Sequence, residues 1–240
     1  MSACIRRGST LLLLGVATLS LAACGQSQAP QSEAPTEAAA EVSSELPVMG
    51  PEVPILAFGD SLLSGYGLDE SASYPARLEQ ALRGRGINAR ISNAGVSGDT
   101  TAAGLERLNF TLSSQPVKPE LVIISLGGND MLRSLPPAQT RKNLEAILNR
   151  LKQDHIRVIL WGMLAAPNLG ENYARDFNPI YPQLAKAYGA KLVPFFLQPV
   201  IGKPDLVQQD RIHPNANGVD ALVADTVDDV IATLPEGPDS

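Results

Sequence analysis

A serine set directly behind an apolar run, with an aspartate and a histidine three residues apart near the far end of the chain, is a combination that can transfer acyl groups. The serine is Ser61, in Gly59-Asp60-Ser61, and the pair is Asp210 and His213, in Asp210-Arg211-Ile212-His213-Pro214. A serine hydroxyl is a weak nucleophile until a base takes its proton. The His213 imidazole can be that base if the closing loop folds back over the first strand. Asp210 can then reach the other ring nitrogen, fix the tautomer and stabilise the imidazolium. Each residue alone has a plainer reading: Ser61 as a turn or helix cap, Asp210 as an Asx turn, His213 as a turn residue before a helix. Together the three fit one mechanism. The second histidine, His155, sits at a helix end, where a cation is favourable, and receives no chemical role.

These residues need elements to hold them. Apolar runs at Ile55–Phe58, Ala89–Ser92, Leu121–Leu126, Val158–Trp161 and Lys191–Val193 read mostly as buried parallel strands, apolar on both faces. Helical patterns fall around Tyr74–Arg85, Thr100–Leu112, Ala138–His155 and Asn172–Tyr188, and a last helix runs from about Ala216 to Thr233. Strands alternating with helices predict an α/β fold: a three-layer α/β/α sandwich around a five-stranded, flavodoxin-like parallel sheet. Ligands of such sheets sit at the carboxyl ends of the strands. Three polar stretches lie there: Gly59-Asp60-Ser61 after the first run, Ala94-Gly95-Val96-Ser97-Gly98-Asp99-Thr100 after the second, and Gly127-Gly128-Asn129-Asp130 after the third. Asp60, Asp99 and Asp130 read as acceptors that brace these loops.

In this order and spacing the four stretches resemble the four blocks of the SGNH, or GDSL-type, hydrolase family, from about Val53 to about Pro235. Gly59-Asp60-Ser61-Leu62-Leu63-Ser64-Gly65-Tyr66 and Val193-Pro194-Phe195-Phe196 make the chain similar to the branch of acyl-CoA thioesterase I, lysophospholipase L1 and arylesterase. The resemblance implies a carboxylic ester or thioester hydrolase with a serine acyl-enzyme, no cofactor and no metal, acting on small-molecule or lipid esters. It implies that the developing oxyanion meets the backbone N–H groups of Ser61 and Gly95 and the side chain of Asn129. Gly95 permits close backbone approach, and Asn129 offers an uncharged NH₂ fork. It further implies that the loop Leu164-Ala165-Ala166-Pro167 borders an acyl groove; a plain strand-to-helix connection is the alternative. Leu63 stands where a small residue is common in that branch, which leaves the shape of the acyl pocket open.

The N-terminus reads as a targeting segment. Arg6 and Arg7 precede an apolar stretch, Leu11–Leu21, too short to span a bilayer as a mature helix. Leu21-Ala22-Ala23-Cys24 resembles a bacterial lipobox, which implies cleavage after residue 23, lipidation of Cys24 and export. Residue 25 is glycine rather than a retention aspartate, which by the same resemblance favours the outer membrane or periplasm if the cell is Gram-negative. Cleavage also removes Cys4, so the mature fold relies on no disulfide. The stretch 24–52 is rich in Ala, Pro, Ser, Gln and Glu and reads as a disordered tether; 53–240 is the hydrolase domain. Net charge is −6 and becomes −8 once Arg6 and Arg7 leave, which speaks against a nucleic-acid partner. A monomer is expected.

Two other readings stay open on the sequence. Asp60, Asp99, Asp130 and His213 superficially suggest a metallophosphoesterase, although binuclear sites ordinarily recruit more histidines than the two present. A non-catalytic surface lipoprotein binding acylated or glycan ligands would use the same cleft.

Overall fold

The apolar runs become five parallel strands. The strands are β1 (Val53–Gly59), β2 (Ala89–Gly95), β3 (Leu121–Ser125), β4 (Arg157–Trp161) and β5 (Lys191–Val193). Their order is β2-β1-β3-β4-β5 in a computed structural model that describes residues 48–235. β1, β3 and β4 carry bulky apolar residues on both faces, and β2 offers only Ile91. β3 is buried along its whole length, whereas the edge strand β2 is only partly covered. The leader, Cys24 and most of the 24–52 stretch lie outside the described residues. The last residues of that stretch already touch the fold: Gly50 O accepts from Asn88 Nδ2 at 3.0 Å, and Glu52 pairs with Arg90 at 3.5 Å.

Eight helices fill the connections among the described residues: α1 (Ser61–Ser64), α2 (Tyr74–Gly84), α3 (Thr101–Ser113), α4 (Gly128–Leu132), α5 (Pro137–Gln153), α6 (Gly170–Phe177), α7 (Ile180–Tyr188) and α8 (Ala216–Ile231). α2 packs with α8, while α3 packs with α5 and α5 with α7, giving the three layers. The helical pattern at Asn172–Tyr188 is two helices rather than one. Pro179 lacks the N–H that a continuing helix needs, so α6 stops at Phe177 and α7 restarts at Ile180, although Asn178 and Pro179 keep right-handed helical backbone angles. The short helices α1 and α4, absent from the periodicity, begin inside the polar stretches.

The register aligns the strand ends that matter. Gly59 pairs with Gly95 on one side and with Ser125 on the other, so β1, β2 and β3 finish level. The chain moves from β1 outward to β2 and then crosses to β3 on the opposite side of β1. That reversal leaves a crevice beyond the carboxyl ends of β1 and β3. In the core Trp161 and Phe196 stack at 5.4 Å and Tyr74 meets both edge-on, at 6.2 and 5.1 Å. Such pairs add directional preference to apolar burial.

Candidate active site

The polar stretches cap the helices they open. Asp60 Oδ1 accepts from Leu62 N at 3.1 Å and starts α1, so Ser61 occupies its first turn with no acceptor on its own N–H among the described residues. Thr100 caps α3, and Asn215 caps α8 through Gly218 N at 3.0 Å. The segment before α8 is closed by the antiparallel bridge Val207–Pro214 and by Gln208 N donating to His213 O at 2.8 Å. This closure swings His213 over the end of β1.

His213 Nε2 lies 2.8 Å from Ser61 Oγ, and His213 Nδ1 lies 2.6 Å from Asp210 Oδ2. Asp210 Oδ1 accepts from the backbone N–H groups of Ile212 at 2.9 Å and His213 at 3.0 Å. Burial pushes the Asp210 carboxyl up, but the hydrogen bonds from the His213 ring and from these two N–H groups outweigh it and bring it down to about 2. Asp210 is therefore ionised at any ordinary pH and can only accept. The neutral ring then carries its proton on Nδ1 and turns the Nε2 lone pair toward the serine hydroxyl. The Tyr66 ring lies 4.6 Å from the imidazole, tilted by 39°.

Asn129 Nδ2 donates to Asp99 O at 3.0 Å, which uses one of its two N–H bonds and leaves the other without an acceptor at the cleft it lines. Gly95 does not join this group. Its N–H goes to Asn93 Oδ1 at 2.9 Å, and a Cβ there would overlap the Ser64 amide nitrogen, so it is the residue that lets β2 approach α1. Gly98 lines the cleft at φ +87°, and no acceptor meets its N–H among the described residues. Its own carbonyl is held by Arg133 Nη2 at 2.8 Å, and the loop is tied to β1 by Val96 N donating to Gly59 O at 2.9 Å. The sequence signal that separates the two glycines is Asn93, whose side chain satisfies the donor two residues on.

The cleft encloses about 260 Å³ and is walled largely by apolar side chains, among them Leu62, Met131, Leu132, Met163, Leu197 and Ile212. The loop Leu164–Pro167 stands behind this wall rather than in it. Ala165 N donates to Asn178 Oδ1 at 2.8 Å and Ala166 N to Met131 Sδ at 3.2 Å, so the loop buttresses Met131 while Met163 reaches the cleft.

The other aspartates of the polar stretches brace. Asp99 pairs with Arg107 at 2.6 Å, and Arg107 also donates to Gly59 O at 2.9 Å. Buried Asp130 accepts from Thr101 N at 2.8 Å, Thr101 Oγ1 at 2.5 Å and Thr140 Oγ1 at 3.2 Å. Asp60 lines the cleft floor, and burial pushes its carboxyl up to about 7, with the Asp99 and Asp130 charges assisting and the Leu62 N–H opposing. No three of His, Cys, Asp and Glu converge as metal ligands among the described residues. His155 follows α5 at the opposite end of the sheet, beside Lys152 and Arg157. Sequence reasoning missed Gln208, whose Nε2 donates to Tyr66 O at 2.7 Å and to Pro214 O at 3.0 Å and so joins the histidine loop to the segment after α1.

Residues 57–221 match the model of the GDSL-like lipase/acylhydrolase family. The esterase TesA of Pseudomonas aeruginosa is 41% identical over 160 residues, which covers 67% of this chain and 79% of that protein. The thioesterase 1/protease 1/lysophospholipase L1 of Escherichia coli is 39% identical over 161 residues, covering 67% and 75%. The crystal structure of AlinE4, an SGNH-hydrolase family esterase, is 60% identical with a TM-score of 0.66, covering 78% of this chain and 100% of that one.

Proposed function

Because the chain belongs to the GDSL-like lipase/acylhydrolase family and is an ester hydrolase, we propose that Ser61 is its nucleophile, His213 its base and then its acid, and Asp210 the partner that orients the ring. The observation carrying this reading is the unbroken line Ser61 Oγ, His213 Nε2, His213 Nδ1, Asp210 Oδ2, with links of 2.8 and 2.6 Å. Ser61 Oγ gives its proton to Nε2 as it bonds to the carbonyl carbon. The carbonyl oxygen takes the electron pair and is met by the N–H groups of Ser61 and Gly98 and the remaining N–H of Asn129. Collapse breaks the bond to the leaving oxygen, which takes the proton from His213. Water then attacks the acyl carbon and gives a proton to His213; the C–Oγ bond breaks and Ser61 regains its proton. Ester and water have become acid and alcohol.

The apolar wall suits an alkyl or aryl acyl group. An exported enzyme meets oxygen esters and lysophospholipids rather than cytosolic acyl-CoA, so those are the favoured substrates. Among the described residues no helix is long and apolar enough to cross a membrane; attachment is assigned to a lipid on Cys24. Metabolic labelling with a palmitate analogue should mark the native chain and fail on Cys24→Ser; equal labelling refutes the anchor. The catalytic reading is tested by rapid mixing with p-nitrophenyl esters of rising chain length. A burst of about one product per enzyme, lost in Ser61→Ala, is expected where deacylation is the slower step. Turnover of the same esters by Ser61→Ala at the native rate would refute it.

A further inference from the structure

A second hollow, of about 380 Å³, adjoins the cleft. Leu197 and Ile212 wall both, so the two are arms of one trough. The second arm is mostly apolar, through Val200, Ile201 and Val207, yet it carries Lys203 and Arg211. Neither cation has a side-chain partner among the described residues. Elsewhere the described arginines are engaged, Arg157 excepted: Arg77, Arg85, Arg90, Arg107, Arg141, Arg150 and Arg175 in ion pairs, Arg83 on Asn88 and Arg133 on a carbonyl. Arg211 also sits at φ +60°, a left-handed conformation that suits glycine and penalises a side chain.

Reaction chemistry assigns the arms. The leaving oxygen must receive its proton from His213, so the alcohol half of an ester lies on the His213 side of the scissile bond. The acyl half then lies toward Asn129, Met131 and Met163. Arg211 and Ile212 stand between Asp210 and His213 in the chain and wall the second arm. We propose that this arm binds the alcohol half of the substrate and selects alcohols whose apolar body ends in an anion, a carboxylate or phosphate, held by Lys203 and Arg211. The inference rests on Ser61 and His213 acting as described above.

The test compares butyrate esters of one phenol frame: 3-(4-hydroxyphenyl)propionate, its neutral methylamide, and 4-hydroxyphenethyl phosphate. The charge is two methylenes from the ring, and rates are normalised to hydroxide cleavage of each ester. The native enzyme should favour the anionic esters in kcat/KM by roughly fivefold at low salt, as expected for partly exposed ion pairs, and less at high salt. The carboxylate and phosphate arms show which anion fits better. In Lys203→Gln/Arg211→Gly the anionic-to-neutral ratio should fall to about one; glycine suits φ +60°, so the loop keeps its backbone. Lys118→Gln, just before β3 at the other end of the sheet, should keep the native ratio. Equal rates on charged and neutral esters by the native enzyme, or a preference that survives the double variant, overturn the inference while Ser61-dependent turnover of the neutral ester leaves the catalytic reading standing. Failure to hydrolyse any of the three overturns both.

Discussion

Asp210 spends both carboxylate oxygens on its own loop, one on the His213 ring and one on two backbone N–H groups. Asp210→Asn would keep the shape but offer an NH₂ in place of an acceptor, favouring the wrong tautomer. Its kcat should fall by several orders of magnitude. Ser61→Ala and His213→Ala should each fall at least as far, and the double variant little further, because the group acts as a unit. Asn129→Ala should lose about 3 kcal/mol of transition-state stabilisation, mainly in kcat, since it meets charge present only there. Single-turnover rates of the five variants check this; additive losses for Ser61 and His213 contradict it. At this scale the side-chain chemistry was legible: Ser61, His213, Asp210 and Asn129 are distinctive types in distinctive places. The backbone donors were not. Gly95 and Gly98 lie three residues apart, and their roles separate only through Asn93 capping one N–H and Arg133 fixing the loop around the other.

The loop between β5 and α8 carries Asp210 and His213 without being a regular element, and Gln208 holds it. Its backbone meets His213 O, and its side chain meets Tyr66 O and Pro214 O. Gln208→Ala should leave the sheet intact but loosen the 2.8 Å approach of His213 to Ser61. A misplacement on the order of 1 Å can cost ~100-fold, so kcat should fall on the order of tenfold or more with KM little changed. Fluorophosphonate labelling of Ser61 should slow in proportion; labelling at the native rate contradicts the role. Periodicity exposed the long helices and the strands. It could not show α1 and α4, which are too short for a pattern, and it ran through Pro179, where backbone geometry overrides an amphipathic repeat. Gln208 carries no signal because it matters through backbone carbonyls far away in the sequence.

Across the whole molecule, the sheet buries Asp60 between two other carboxylates at the strand ends. Its folded carboxyl titrates near 7 instead of 3.8 because burial disfavours the charge. Between those values the unfolded chain is ionised and the folded one is protonated. The stability this contributes is fully present below about 3.8 and is lost as pH rises through about 7. Asp60→Asn keeps an acceptor for Leu62 N and removes the titration. The drop in Tm from pH 5 to pH 8 should be several degrees smaller in Asp60→Asn than in the native protein, by calorimetry at matched ionic strength. Parallel curves would place the titration elsewhere. The three-layer architecture was legible because alternating strand and helix patterns have few packings. The burial of one particular aspartate was not, since it depends on three strands finishing level.

The nucleophile is the central claim, and intact mass after brief exposure to a fluorophosphonate tests it most directly. One adduct should form, map to Ser61 by peptide sequencing and be absent from Ser61→Ala. An adduct on another serine, or full ester hydrolysis by Ser61→Ala, would contradict the account.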